Sequence, residues 1–444
     1  MMARTISSND LSIPMANWTP TSESPEVQAF LQRPAFNADA EAAAREALAD
    51  IRARGDRAIA DCIEQFDGVT LTPGQFLVGK PELNAARDEV QSDGEFIAAV
   101  CEAHKRIAAF ARAGMRKDWT MSAPKGGIVG EQYVPFDRVG AYIPGGAAPL
   151  VSTALMTVTL AKTAGVMDIV ACTPCGKDGK VNPFLLYALE LAGATEIYKI
   201  GGIQAIGAMA YGTPTVKRVQ KIVGPGGPYV TAAKRLVYGE VALDLVAGPS
   251  ELAILADSSA NPRVVAADLL SQAEHGTGLE KILLVTSDMY LAESVRTELI
   301  RQMALLSRRS AINTVLQQGT LLVTVNQLDD GMELCNRFAP EHLEIIVKEP
   351  RSWLKKVRNA GAVFAGAWTP ECAGDFVAGP SHVLPTGGTA TMFSGLTVED
   401  FRKRTSIITF TRADLRDALS HIQTFGRVEG LDAHARSASI RFEV

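Results

Sequence analysis

The sequence predicts an α/β chain built on two open parallel sheets. Three observations carry that expectation. From Arg138 onward, short apolar runs alternate with longer helical segments. Glycine-rich turns close three of those runs, at Gly145-Gly146, Gly201-Gly202 and Gly224-Pro-Gly-Gly227. Finally, 444 residues are too many for one ordinary core. Repeated β–α units imply parallel strands joined by right-handed crossovers.

Composition narrows the class. With 47% hydrophobic and 21% charged residues and a net charge of −5, the chain reads as globular, without a nucleic-acid or other polyanion surface. The apolar stretch 149–173 is broken by Lys162 and Asp168, so it reads as helix, turn and strand rather than a membrane span. No signal pattern opens the sequence, and six scattered cysteines point to a reduced, cytoplasmic setting. Cys172-Thr-Pro-Cys175 lacks the two further ligands a structural zinc site needs.

In chain order, residues 1–35 carry four prolines and read as an irregular arm. Segments 38–66 and 81–115 read as helical. Strands are expected at 138–143, 167–172, 196–200 and 219–223, each followed by a helix. No turn among them has the GxGxxG spacing of the dinucleotide fingerprint, so the sheet is Rossmann-like but incomplete. A second α/β unit follows, with strands at 252–256, 281–286, 321–325, 343–347 and 362–365. Segment 371–395 reads as a long Gly/Pro-rich loop. Residues 412–429 close with a helix, and the rest is polar.

The most informative stretch is 248–276. Asn261 suits a helix N-cap and Pro262 the first helical position. The helix is expected to reach His275, with Gly276 fitting the C′ position. Asp268, Gln272 and His275 then share one face. That polar face either meets water or meets something that needs oxygen and nitrogen donors. In a β–α–β crossover the helix end returns to the edge where the strands begin. Ser250, Gln272, His275, Glu341 and His342 are therefore expected at one sheet edge. It is opposite to the usual ligand edge of open α/β sheets, so another domain or subunit would complete the site.

Several motifs together resemble the histidinol dehydrogenase family: 248–251 (GPSE), 266–275 (AADLLSQAEH), 339–344 (APEHLE), 374–375 with 382–386, and 429–434 (EGLDAH). The resemblance runs in order over about residues 40–444. It implies two-step oxidation of L-histidinol to L-histidine with NAD and one zinc ion per site, in a homodimer with shared sites. It implies Gln272, His275, Asp375 and His434 as zinc ligands, His342 as general base and Glu341 as the residue that activates water. Ser250, His382 and Glu429 would contact substrate, and Tyr142 and Gln204 would contact NAD. The implied organisation is an arm (1–35), an α/β domain from 36–135 with 248–390, an NAD-binding domain at 136–247, and a small C-terminal domain at 391–444.

The chemistry fits these residue types. Alcohol oxidation needs a base near neutral pH, which suits His342. Oxidising an aldehyde needs its hydrate, which suits a carboxylate such as Glu341. Neighbours on a strand point apart, so Glu341 and His342 are expected in a loop. Three departures from the family stand out: Gly227 where Asn usually contacts NAD, Ser381 where Asn is usual, and Phe376 where Tyr is common. They keep two other readings open, a paralogous zinc and NAD dehydrogenase of another polyol and a non-catalytic relative. Asp268 has no family role and is expected to support the ligands or face solvent.

Overall fold

The computed structural model describes residues 12–22, 24–33, 37–145, 149–246, 248–275 and 278–443. Among them no helix is long and apolar enough to cross a membrane.

Two parallel sheets form the frame. The larger has six strands in the order Met15–Trp18, Thr320–Val325, Lys281–Thr286, Glu251–Ala256, His342–Ile346, Ala362–Ala365. Every neighbouring pair is parallel. Its central strand Glu251–Ala256 is buried at all six positions, as expected when helices cover both faces. Helix Pro262–Ala273 covers one face. Asn261 caps it by accepting from the Arg263 N–H, and Pro262 opens it. Its Val265, Ala266, Leu269 and Leu270 pack on Leu252, Ile254 and Ile282. Truncating such a core leucine to alanine costs about 2–5 kcal/mol. The smaller sheet orders Glu196–Tyr198, Asp168–Cys172, Arg138–Tyr142, Lys221–Val223 and Ala242–Leu243, again parallel. The α/β expectation with two open sheets therefore holds.

Tertiary packing changes several boundaries. The arm is not wholly irregular: Met15–Trp18 is an edge strand of the larger sheet, and Pro25–Leu31 is a helix. The first two helical segments are each split in two, one at Gly55, whose φ is +59°, and the other ahead of Gly94. These helices, grouped by sequence with 248–390, pack instead on the smaller sheet. Leu48 and Ile51 meet Ile206 and Val230, and Val100 and Ile107 meet Leu155 and Leu186. A third sheet escaped the sequence reading: Arg402–Thr409, Ile128–Pro135 and Trp119–Ser122, antiparallel. It ties the C-terminal part of the chain to residues 119–135. Helices Arg309–Gln318 and Leu328–Phe338 are also additional, and the polar end carries helix Asp432–Ser439. The expected loop 371–395 begins with helix Glu371–Phe376. Helix Pro262–Ala273 stops before His275, which lies in the turn beyond; Gly276 lies outside the described residues.

Candidate active site

The site lies where the strands of the larger sheet begin. Strand His342–Ile346 pairs with Glu251–Ala256 so that His342 stands opposite Leu252 and Glu344 opposite Ile254. Residues two apart on a strand share a face, and this is the face that helix Pro262–Ala273 covers. The polar side of the helix therefore meets the polar side of the strand. Gln272 reaches His342, and Asp268 hydrogen-bonds Glu344. Asp268 thus supports the site rather than facing open solvent.

His342 opens its strand instead of lying in a loop. The chain enters that strand through Ala339, the one non-glycine residue with positive φ (47°) among the described residues. This left-handed kink at a helix end is costly for a residue with a side chain. It swings Pro340 and Glu341 back so that Glu341, just ahead of the strand, still reaches the site. The Glu251 N–H donates to its Oε2 at 3.1 Å. Burial, and then the charge of Asp375, push the Glu341 carboxyl well above the usual range.

Helix Glu371–Phe376 runs back along the strand. The Glu371 N–H donates to Glu344 Oε1 at 2.7 Å, while Asp375 Oδ1 stands 3.7 Å from His342 Nε2. Gln272 Oε1 accepts from His342 Nδ1 at 3.0 Å, which leaves the lone pair on Nε2. That Nε2 is buried with no hydrogen-bond partner. Burial lowers the His342 pKa to about 4, so the ring is neutral near pH 7. An orphaned, neutral, oriented imidazole nitrogen is the arrangement a general base requires.

His275, Glu371 and Asp375 each offer a ligand atom, all within 4.8 Å of one another. One imidazole and two carboxylates suit a first-row divalent ion. Gln272 Nε2 lies 3.3 Å from His275 Nδ1, so its amide stands between the two rings. His382 is held at both ring nitrogens, by Thr153 Oγ1 at 2.9 Å and the Asp375 carbonyl at 3.1 Å. Ser250 lies one residue ahead of the strand, at the same edge.

Two expected residues are not brought in. Glu429 ends helix Arg412–Glu429 and His434 lies on Asp432–Ser439; both are exposed. Among the described residues, no hydrogen bond or ion pair of the site includes either. Three participants were missed. Glu344 shares the face of His342 at a spacing of two. Glu371 and Asp375 are a turn apart on one short helix, a spacing that the long-loop reading concealed. Thr153 gave no sequence signal, because its contact with His382 spans the two α/β units.

The other expected contacts cluster where the strands of the smaller sheet end. The Tyr142 hydroxyl accepts from the Gly202 N–H at 3.2 Å, and burial pushes its pKa up to about 12. Gln204 is buried in the first turn of helix Gly202–Tyr211. Gly224, at φ +114°, packs so closely that a Cβ would lie 2.2 Å from the Tyr142 carbonyl oxygen. Gly227 caps helix Pro228–Val237, with open space where its side chain would stand. Backbone N–H groups at two helix starts suit an anionic pyrophosphate. Thr153 lies on helix Val151–Ala164, which follows strand Arg138–Tyr142, so its bond to His382 joins the two regions.

Comparison with known proteins decides the family. The histidinol dehydrogenase family model matches residues 31–442. The chain belongs to the histidinol dehydrogenase family. It is 46% identical over 399 residues to a histidinol dehydrogenase of Moorella thermoacetica, covering 90% of this chain and 93% of that one. A Synechococcus histidinol dehydrogenase is 45% identical over 401 residues, covering 90% and 92%. The crystal structure of histidinol dehydrogenase from Elizabethkingia anophelis matches with a TM-score of 0.92 at 35% identity, over 97% of this chain and 98% of that one. Those motif-by-motif expectations thus belong to a family shared along nearly the whole chain.

Proposed function

We propose that the protein oxidises L-histidinol through the aldehyde to L-histidine in the cytoplasm, with NAD as hydride acceptor. The observation that carries this reading is His342, whose buried Nε2 has no partner while Gln272 fixes the opposite nitrogen. In the first oxidation that nitrogen takes the hydroxyl proton as hydride leaves the carbon. In the second, the carbonyl must be hydrated. Glu341, held at the site by the Glu251 N–H, is placed to take a proton from the attacking water when its carboxyl is ionised. Once it has released that first proton to solvent, His342 serves the hydrate as it served the alcohol.

Zinc is the metal that best suits the donor set, held by His275, Asp375 and Gln272, with His434 of a second copy. When bound, it supplies a template for the substrate's nitrogens. The amide oxygen of Gln272 has two lone pairs, so it can serve both His342 and an ion. Ser250, His382 and a second copy's Glu429 would surround the substrate. A homodimer is favoured because Glu429 and His434 stand away from the site of their own chain. Phe425, Val428 and Leu431 are also exposed beside them, as a face covered by another subunit would be. Tyr142, Gln204 and the turn at Gly227 would receive NAD.

NADH formation from L-histidinol tests the reading. Zinc-loaded protein should produce NADH, chelation should stop it, and zinc should restore it. Activity with another diol but none with histidinol would transfer the site to a different alcohol. No activity with any diol would leave a binding protein.

A further inference from the structure

The proposed function leaves the N-terminal arm without a role, yet its Arg33 reaches the catalytic edge. Arg33 lies two residues beyond helix Pro25–Leu31, with its side chain largely buried. The guanidinium meets three acceptors with three different nitrogens: Nε stands 2.7 Å from Glu251 Oε1, Nη2 donates to the Phe338 carbonyl at 2.7 Å, and Nη1 donates to the Leu31 carbonyl at 3.0 Å. Both distant partners are bound up with Glu341. Glu251 lends its N–H to Glu341 Oε2, and Phe338 ends the helix from which the chain turns, through the left-handed Ala339, into Glu341. The guanidinium also lies over the Phe338 ring, 4.3 Å from its centre, and Phe30 stacks on the same ring at 5.3 Å. Lys281 fixes the arm in turn, donating to the Phe30 and Gln32 carbonyls. Burial pushes the Glu251 carboxyl up, and Arg33 is the largest influence opposing it.

We propose that Arg33 is a positioning residue for the second oxidation, holding Glu341 where it meets the attacking water. This rests on the role given to Glu341 above. A rigid fork of donors ties Glu251 to Phe338, so the two backbone segments that flank Glu341 keep one separation. The left-handed Ala339 persists only where its surroundings hold it, and Arg33 supplies part of that hold through the preceding carbonyl. His342 is oriented from elsewhere, by Gln272 on helix Pro262–Ala273. Loss of Arg33 should therefore loosen Glu341 more than His342. A merely structural role would weaken both oxidations alike.

The test measures the two oxidations separately in full-length, zinc-loaded protein. One assay follows NADH from L-histidinol with the aldehyde trapped by semicarbazide, and the other follows NADH from the aldehyde supplied directly. Arg33→Met should slow aldehyde oxidation by up to about 100-fold, the scale on which a misplacement of about 1 Å acts, and alcohol oxidation by about 3-fold or less. Free aldehyde should then collect in the trap. Arg33→Lys keeps a charge beside Glu251 but cannot span all the acceptors, so it should recover part of the second oxidation. If Arg33→Met folds poorly, Glu251→Gln removes the ion pair, keeps the backbone N–H that serves Glu341, and should show the same imbalance more weakly. Equal slowing of both oxidations in the variants that fold, or aldehyde oxidation at the wild-type rate, would overturn the inference. Wild-type protein that yields no NADH from histidinol would overturn the proposed function itself, a distinguishable outcome.

Discussion

The two parallel sheets share one construction, yet they place their chemistry at opposite edges and in different materials. Where the larger sheet begins, the site is made of side chains under electrostatic stress. Burial pushes Glu341 and Glu344 far up and Glu371 to about 8, and pushes His342 down to about 4. Where the smaller sheet ends, the proposed cofactor site is made of backbone. Its turns at Gly202 and Gly224 are held by one phenol and by one buried ion pair, Lys234 with Asp244, which grips the Gly224 turn from both sides. A site of side chains depends on single atoms. A site of backbone depends on the shape of its turns and tolerates changes that leave that shape alone.

The largest expected effect separates these two modes most sharply. His342→Asn should lower kcat by about a thousandfold, within the range a positioned acid–base group supplies, and leave KM for NAD and the zinc content unchanged. Steady-state NADH formation and metal analysis check it; zinc loss in this variant would contradict the role of base. The wild-type pH profile carries the matching signature. Protonating His342 removes the base, and burial places that event below the ordinary histidine value of 6.5, toward 4. Activity should therefore persist below pH 6.5 and then fall with further acid.

The counterpart at the other edge is Asp244→Asn. Removing one partner of a buried ion pair leaves Lys234 charged and unpaired, at a cost of about 3 kcal/mol. The Gly224 turn would lose part of its support as well. Urea denaturation should show the loss of stability, and kinetics should show a raised KM for NAD with kcat little changed. A large fall in kcat with KM unchanged would erase the distinction between the two edges.

A smaller effect tests the stress itself. Carboxyls raised by burial stabilise the fold while protonated, below their unfolded value, and lose that contribution as pH rises through the folded value. For Asp268 the folded value is about 6, and for Glu371 about 8. Lowered His342 acts oppositely, its contribution growing with pH between about 4 and 6.5. Above pH 6.5 only the carboxyl contribution remains, so metal-free protein should lose thermal stability from there to pH 8. Glu344→Gln keeps an acceptor for the Glu371 N–H but removes one raised carboxyl from the cluster. It should flatten that slope and raise stability by about 1 kcal/mol. Thermal unfolding in chelator, at several pH values, reads both.

The same contrast explains what could be read from the sequence. The β–α alternation was legible because each buried strand is a continuous apolar run. The Gln272–His342 edge was legible because crossover geometry fixes where helix ends return. The antiparallel sheet was not, because residues 119–122 are exposed at every position and its strands show no apolar alternation. Nor was the packing of residues 38–114 on the smaller sheet, since amphipathic helices do not name their partner. Glu371 was hidden by its setting: a short helix inside a Gly/Pro-rich stretch has too few turns to show a period. Thr153 at His382 is a contact between units, and local pattern cannot supply it.

Gly227 gives the smallest effect and the finest test of the backbone-built edge. Its φ of −67° and ψ of 179° are open to any residue, and the proline that follows favours this extended conformation. A Cβ there would meet nothing within 4 Å. Gly227→Asn should therefore be accommodated, and the asparagine has two possible partners. Turned toward the cofactor, it would add one hydrogen bond and lower KM for NAD by about 2- to 10-fold, with kcat unchanged. Turned back to cap helix Pro228–Val237, it would leave KM alone and raise stability by only a few tenths of a kcal/mol. The expected result is the lower KM, because the space beside Gly227 is open. An unchanged KM with a slightly higher melting temperature would show that the turn already binds the cofactor through backbone alone.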